Sequence, residues 1–176
     1  MAARPLSLKA RALQWLAQRE HSRVELRRKL LRLARQRAAE AAETGEEDPS
    51  AGAEAEVEVE VEVEAVLDWL AAHHYLSEAR FVESRVNARA SRYGNLRIRQ
   101  ELGQHGAALD PAAAEQLKES ELARARAVWA RKYGGDPPGT AVERARQTRF
   151  LAGRGFSSEV IRRIVRTGAA EPDGPL

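Results

Sequence analysis

Arginine is the residue whose repetition in this sequence asks for a chemical reading. Arg28, Arg32 and Arg35 stand at i, i+4 and i+7, and Arg85, Arg89 and Arg92 repeat that spacing. Arg97 and Arg99 follow, then Arg124, Arg131 and Lys132, and finally Arg162, Arg163 and Arg166. On a helix such spacing sets the side chains on one face. There each planar guanidinium can pair with a phosphate or a carboxylate through two parallel N–H donors. Any single stripe of this kind is also what the wet face of an amphipathic helix looks like. Five groups on successive segments, with Arg making up 25 of the 29 basic residues, favour a surface that binds a polyanion.

Catalytic chemistry has no comparable signal. The four histidines are His21, His73, His74 and His105. His73 and His74 are adjacent, so on a helix they diverge by about 100° and do not share a metal. Cysteine is absent, which removes disulfides and thiolate ligands and suits a reducing cytosol. The glycines of Gly153-Arg154-Gly155 mark a helix end, not a phosphate-binding loop after a strand. The expectation is a protein that is not an enzyme and holds no metal and no cofactor. Trp15, Trp69 and Trp129 fall on apolar faces and read as core, so base stacking is not indicated. A helix-turn-helix reading of residues 89–105 lacks any independent sign of a dimer or a recognition helix.

The charge is unevenly spread. Residues 38–79 contain no Lys or Arg and 13 Asp and Glu, which leaves the remainder of the chain at a net +16 although the whole is only +3. A body of that charge attracts nucleic acid or nucleoprotein. No stretch is apolar for long enough to cross a bilayer, and residues 1–8 lack the apolar core of a signal peptide. A cytoplasmic protein with no membrane partner, monomeric in solution, is the expectation.

The elements that would position the arginines are helices. Ala, Leu, Arg and Glu dominate the composition, and all are strong helix formers. Ser22-Arg23-Val24-Glu25 and Thr140-Ala141-Val142-Glu143 match the capping box. Asp110-Pro111 supplies an N-cap followed by proline in the first turn, and Ser157 precedes another start. Gly106 and Gly155 fit helix ends that need a left-handed backbone. The pattern of two helices and a third recurs three times, anchored at Leu30, Leu102 and Leu151. Spacing from cap to anchor predicts that the second helix of the last repeat is about one turn longer than its counterparts. The fold class is therefore all-α, with tandem three-helix modules over residues 8–76, 77–118 and 119–166 in an elongated, curved molecule. Residues 1–7 read as a flexible tail and 167–176 as a disordered one. The acidic stretch 38–64 reads as an insertion in the first module. Within it, 54–64 alternates Glu with Val like a strand, but no other strand exists to pair with it. It reads as low-complexity linker, partly recruited into the helix that follows.

These residues resemble the RecX family, regulatory proteins that modulate the RecA recombinase. The resemblance rests on Ser22, Glu25, Leu26, Arg27, Lys29 and Leu30 in the first module. In the second it rests on Tyr75-Leu76-Ser77-Glu78-Ala79-Arg80-Phe81, Tyr93-Gly94 and Arg99-Gln100-Glu101-Leu102 through His105-Gly106. In the third it rests on residues 150–157 and Val160-Ile161-Arg162. It implies three-helix modules, no catalysis, and binding in the groove of the RecA–single-stranded-DNA filament to limit RecA activity in recombination, DNA repair and the SOS response. The acidic insertion is long for this family, and Ser77 stands where an acidic residue is usual. Two other readings compete: a sequence-independent DNA-binding protein that also takes free DNA, and a helical adaptor for another acidic protein.

Overall fold

The computed structural model describes residues 6–42 and 52–167. They form nine helices: α1 (Leu8–Gln18), α2 (Arg23–Ala42), α3 (Gly52–Ala72), α4 (Glu78–Ala90), α5 (Asn95–Gln104), α6 (Pro111–Glu119), α7 (Glu121–Tyr133), α8 (Ala141–Gly153) and α9 (Ser158–Thr167). No strand occurs among the described residues. The helices fall into three triplets, as the repeat predicts. Compactness divides the chain in two instead, into residues 1–81 and 82–176, with the division inside α4. The terminal tails read from the sequence lie largely outside the described residues.

The first unit is a three-helix core. Leu8 and Ala12 of α1, Leu26, Leu30, Leu31 and Ala34 of α2, and Val63, Leu67 and Leu70 of α3 are buried together with Leu76. Ser7 Oγ accepts from Ala10 N at the start of α1, and Ser22 Oγ accepts from Glu25 N at the start of α2, each at 3.1 Å. These bonds satisfy amide groups that a helix start otherwise leaves without a partner.

The largest departure from the sequence reading is α3. Residues 54–64 are not a linker but half of a continuous 21-residue helix. The reason lies in the arithmetic of the alternation. A pattern of period two is also a pattern of period four, and four residues is close to one helical turn. Val59 and Val63 therefore point to the core, while Val57 and Val61 are left 63% and 64% exposed. Glu56, Glu60 and Glu64 line up on a third face and meet arginines of α2. At its end the chain turns with His74 at φ 60°, and the amides of Tyr75 and Leu76 return to Leu70 O at 2.9 and 3.1 Å. His74 takes a left-handed conformation that glycine usually supplies.

The second unit carries α5 to α9 and most of α4. Ala125, Val128 and Trp129 of α7, Leu151 of α8, Phe156, and Ile161, Ile164 and Val165 of α9 form its main core. Thr140 and Glu143 make the full capping box, and Asp110 Oδ1 accepts from Ala113 N at 2.8 Å ahead of Pro111. Gly106 and Gly155 have φ of 68° and 79°, the left-handed values expected of them. Helix α8 has 13 residues against 10 in α5, about one turn more, but α2 has 20, so the expected order of lengths fails for the first module, whose second helix runs on past Leu30 to Ala42.

Backbone joins the second and third modules directly. Gly94 N donates to Arg154 O at 2.9 Å and Leu96 N to Gly155 O at 3.0 Å. A Cβ on Gly94 would lie 2.3 Å from Gly155 O, and one on Gly155 would lie 2.5 Å from Arg97 N. Only glycine permits that approach. Beside it, the buried Glu121 accepts from Asn95 N at 3.0 Å and Ser157 N at 3.3 Å, so one carboxylate serves the start of α5 and the turn before α9.

Candidate anion-binding surface

The arginines sort into three kinds according to what their helices place beside them. The first kind is neutralised within the chain. Arg23 donates to Glu64 at 2.6 Å and to Asp68 at 2.7 Å. Arg27 donates to Glu64 and lies 3.8 Å from Glu60. Arg35 pairs with Glu56, its Nε at 2.8 Å, with Glu60 at 3.9 Å. The hydrogen bonds from Arg27 and Arg23 hold the Glu64 carboxyl below its ordinary pKa. Burial works against the charge on Arg23, but Asp68 and Glu64 outweigh it and raise its pKa. Arg35 is raised by the hydrogen bond and charge of Glu56. The stripe Arg28, Arg32 and Arg35 is thus divided. Arg35 faces α3, while Arg28 and Arg32 are exposed with no ion pair among the described residues.

The second kind holds the fold. Arg124 belongs to the arginine pattern of the sequence, yet its guanidinium is spent internally. It donates to Tyr93 O and Leu117 O at 2.8 Å, to Asn95 Oδ1 at 2.5 Å and to Ala90 O at 3.3 Å. Burial lowers its pKa, against the pull of Glu121. Arg89 pairs with Glu101 at 2.8 Å, Arg97 approaches the same carboxylate at 3.5 Å, and both flank the Tyr93 ring. Arg85 lies 3.3 Å from His105 Nε2. The stripe Arg85, Arg89 and Arg92 is accordingly mixed: Arg85 meets His105, Arg89 meets Glu101, and Arg92 makes no ion pair among the described residues.

The third kind is exposed and uncompensated. Arg92, Arg99, Arg131, Lys132, Arg162 and Arg163 are exposed and make no ion pair among the described residues, although Arg162 Nε reaches Ser158 O at 3.4 Å. Arg92, Arg131 and Lys132 converge with Arg154 on a pocket of about 140 Å³, with Ser91, Val128 and Phe150 completing its lining. Arg154 donates to Arg92 O at 3.1 Å and lies 4.7 Å from the centroid of the Phe150 ring. Sequence reading missed Arg154, because its place between two glycines reads only as a helix end. The 62 positions that separate it from Arg92 carry no pattern that would join the two.

The aromatic and histidine groups complete the inventory. Trp129 is fully buried and its Nε1 donates to Gln147 Oε1 at 2.8 Å, which fits a core role. Trp15 and Trp69 are half-buried against the first core. Trp69 stacks with His73 at 4.0 Å and with Tyr75 at 5.6 Å, and Lys9 Nζ sits 3.1 Å from its centroid. Among the described residues no three His, Asp or Glu side chains gather as metal ligands. No described helix is long and apolar enough to cross a membrane.

Comparison with known proteins places this architecture. A family model described as "RecX, second three-helix domain" matches residues 77–110, and one described as "RecX, third three-helix domain" matches residues 119–165. A regulatory protein RecX of Ralstonia nicotianae is 48% identical over 164 residues, covering 92% of this chain and 87% of the relative. That of Leptothrix cholodnii is 48% identical over 170 residues, covering 96% and 93%. That of Herminiimonas arsenicoxydans is 42% identical over 177 residues, covering 98% and 100%. A crystal structure of a regulatory protein RecX superposes with a TM-score of 0.57 at 17% identity, over 93% of this chain and 81% of the other, and shares the fold.

Proposed function

The chain belongs to the RecX family of regulatory proteins, and from that premise we propose that it binds the RecA–single-stranded-DNA filament and inhibits RecA in recombination, DNA repair and the SOS response. It does so as a cytoplasmic monomer, by occupancy and not by catalysis, with no metal or cofactor. The observation that carries this reading is the set of exposed, uncompensated cations on the second unit, Arg92, Arg99, Arg131, Lys132, Arg162 and Arg163. A filament of protein and DNA offers what they lack, phosphates and carboxylates along a regular surface. Paired arginines such as Arg35 and Arg89 contribute less, because an incoming anion must displace a partner already in place.

The test is ATP hydrolysis by the cognate RecA on single-stranded DNA, with this protein titrated at substoichiometric ratios. A lower steady-state rate at few molecules per filament supports filament binding, since competition for DNA alone would need far more protein. An unchanged rate even at excess rejects it. A rate that falls only when the protein approaches the concentration of DNA sites points instead to a sequence-independent DNA-binding protein.

A further inference from the structure

We infer that the pocket lined by Arg92, Arg131, Lys132 and Arg154 is a seat for backbone phosphates of single-stranded DNA, so that this part of the second unit meets the nucleic acid and not an acidic protein. The inference deepens the filament reading, but its test uses naked DNA and does not depend on RecA.

The first argument is charge. Three helix ends supply the cations: Arg92 follows α4, Arg131 and Lys132 stand in the last turn of α7, and Arg154 caps α8. Cations at helix C-termini are partly offset by the helix dipole, at roughly half a charge per helix. Three such ends offset about 1.5 charges of the four, which leaves a surplus. No acidic side chain lines the pocket, and among the described residues none of the four cations has a carboxylate partner. Four like charges around 140 Å³ repel one another, less for being solvated, and an entering anion relieves that repulsion.

The second argument is the pairing of donors and acceptors. Every charged group at the rim is a donor only. The carbonyl of Arg92 already accepts from Arg154, and Ser91 supplies the single hydroxyl. A phosphodiester brings acceptors and no donors, so it matches. A carboxylate would match the donors equally well, so the choice between nucleic acid and acidic protein rests on the apolar lining. The third argument is the floor. Val128 and Phe150 are apolar and suit the sugar and base edges that flank a phosphate, whereas Arg154 is held over the Phe150 ring before any ligand arrives.

The experiment measures binding of the full chain to a fluorescent thirty-residue oligothymidylate across salt concentrations. For single strands the log–log slope changes by about 0.7 for each phosphate that the protein no longer neutralises. The double variant Arg131→Gln, Lys132→Gln is therefore expected to flatten the slope by about 1.4, with affinity reduced about tenfold or more at low salt. Both residues are exposed, and an unchanged melting midpoint shows that the fold is intact. The charge-conserving pair Arg131→Lys, Lys132→Arg is expected to restore the slope. Wild-type slope and affinity in the glutamine variant overturn the inference. So does loss of polyglutamate binding with oligothymidylate binding unchanged, which assigns the pocket to an acidic protein. Absence of naked-DNA binding by the wild-type chain overturns it as well.

Discussion

The two compact units use charge in opposite ways. In the first, α3 lays Glu56, Glu60 and Glu64 along α2, and Arg23, Arg27 and Arg35 find their anions inside the unit. In the second, carboxylates serve backbone amides, Arg89, Arg97 and Lys118, and among the described residues Arg92, Arg99, Arg131, Lys132, Arg162 and Arg163 are left without them. The acidic helix therefore takes the place of a polyanion for one arginine face and not for the others. Basic residues counted along the chain overstate what the first unit can offer a ligand. The units also differ in what stabilises them. The first combines an apolar core with half-exposed ion pairs, and the second adds buried hydrogen bonds around Glu121, Asn95 and Arg124.

The largest effect that would sharpen this contrast is expected from Glu121→Ala. Two backbone amides and the half-buried Arg124 would lose a charged partner, at a cost of about 3 kcal/mol. Denaturant unfolding followed by Trp129, with Trp15 and Trp69 changed to Phe, should show that loss. The reciprocal probe, with only Trp15 and Trp69 retained, should not move. Equal shifts at both probes would mean that the units unfold as one, and the comparison would fail.

Gly94→Ala comes next, because its Cβ would meet backbone at 2.3 Å. Forced overpacking of this kind costs about 1–3 kcal/mol. Gly103→Ala is the control, since nothing lies within 4 Å of the Cβ it would gain. Thermal melts should separate the two variants clearly, and equal midpoints would show that the junction yields.

A smaller effect is expected in the first unit from changing Arg23 and Arg27 together to Gln. Half-exposed ion pairs contribute at most about 1 kcal/mol each, so the unit should lose about 1–2 kcal/mol at low salt and little at about 1 M salt, where the Debye length is about 3 Å. Urea midpoints at the two salt concentrations check this. The same loss at both would mean that packing of the arginine stems, and not charge, holds α3 to α2.

Acid should produce the smallest effect, and again in the first unit. His21 is 1% exposed, and burial lowers its pKa, as does the charge of Arg19, against the pull of Glu25. A depressed histidine contributes stability that is complete above its unfolded value of about 6.5 and is lost as pH falls below it. Glu64, also depressed, keeps its contribution until pH falls below the ordinary carboxylate value of about 4.3. Unfolding midpoints reported by Trp15 and Trp69 should therefore decline from about pH 7 to pH 5 and again below about pH 4. A flat profile across the upper of these two ranges would remove His21 from the account.

Much of the fold could be read from local chemistry. Ser22, Thr140 and Asp110-Pro111 mark helix starts, and Gly106 and Gly155 mark ends, because each satisfies a requirement of the backbone within a few residues. The course of α3 could not be read that way, since its alternation suits a strand and a helical face alike, and the deciding partners lie on α2. Nothing in the residues around Glu121 announces its burial, and only the fold brings Asn95 and Ser157 to it. For the arginines, the sequence supplied positions but not partners. Arg35, Arg89 and Arg124 look like Arg92 and Arg131 until the neighbouring helices are in place.

The contact of Gly94 with Gly155 has a mechanical consequence. Main chain meets main chain there, with two hydrogen bonds and no side chain between them to act as a cushion. A joint of that kind has little compliance, because close-packed atoms resist compression. Load placed on α8 passes to α5 almost undiminished. The helices on either side of the contact are thereby held at one span, as the jaws of a locked caliper are.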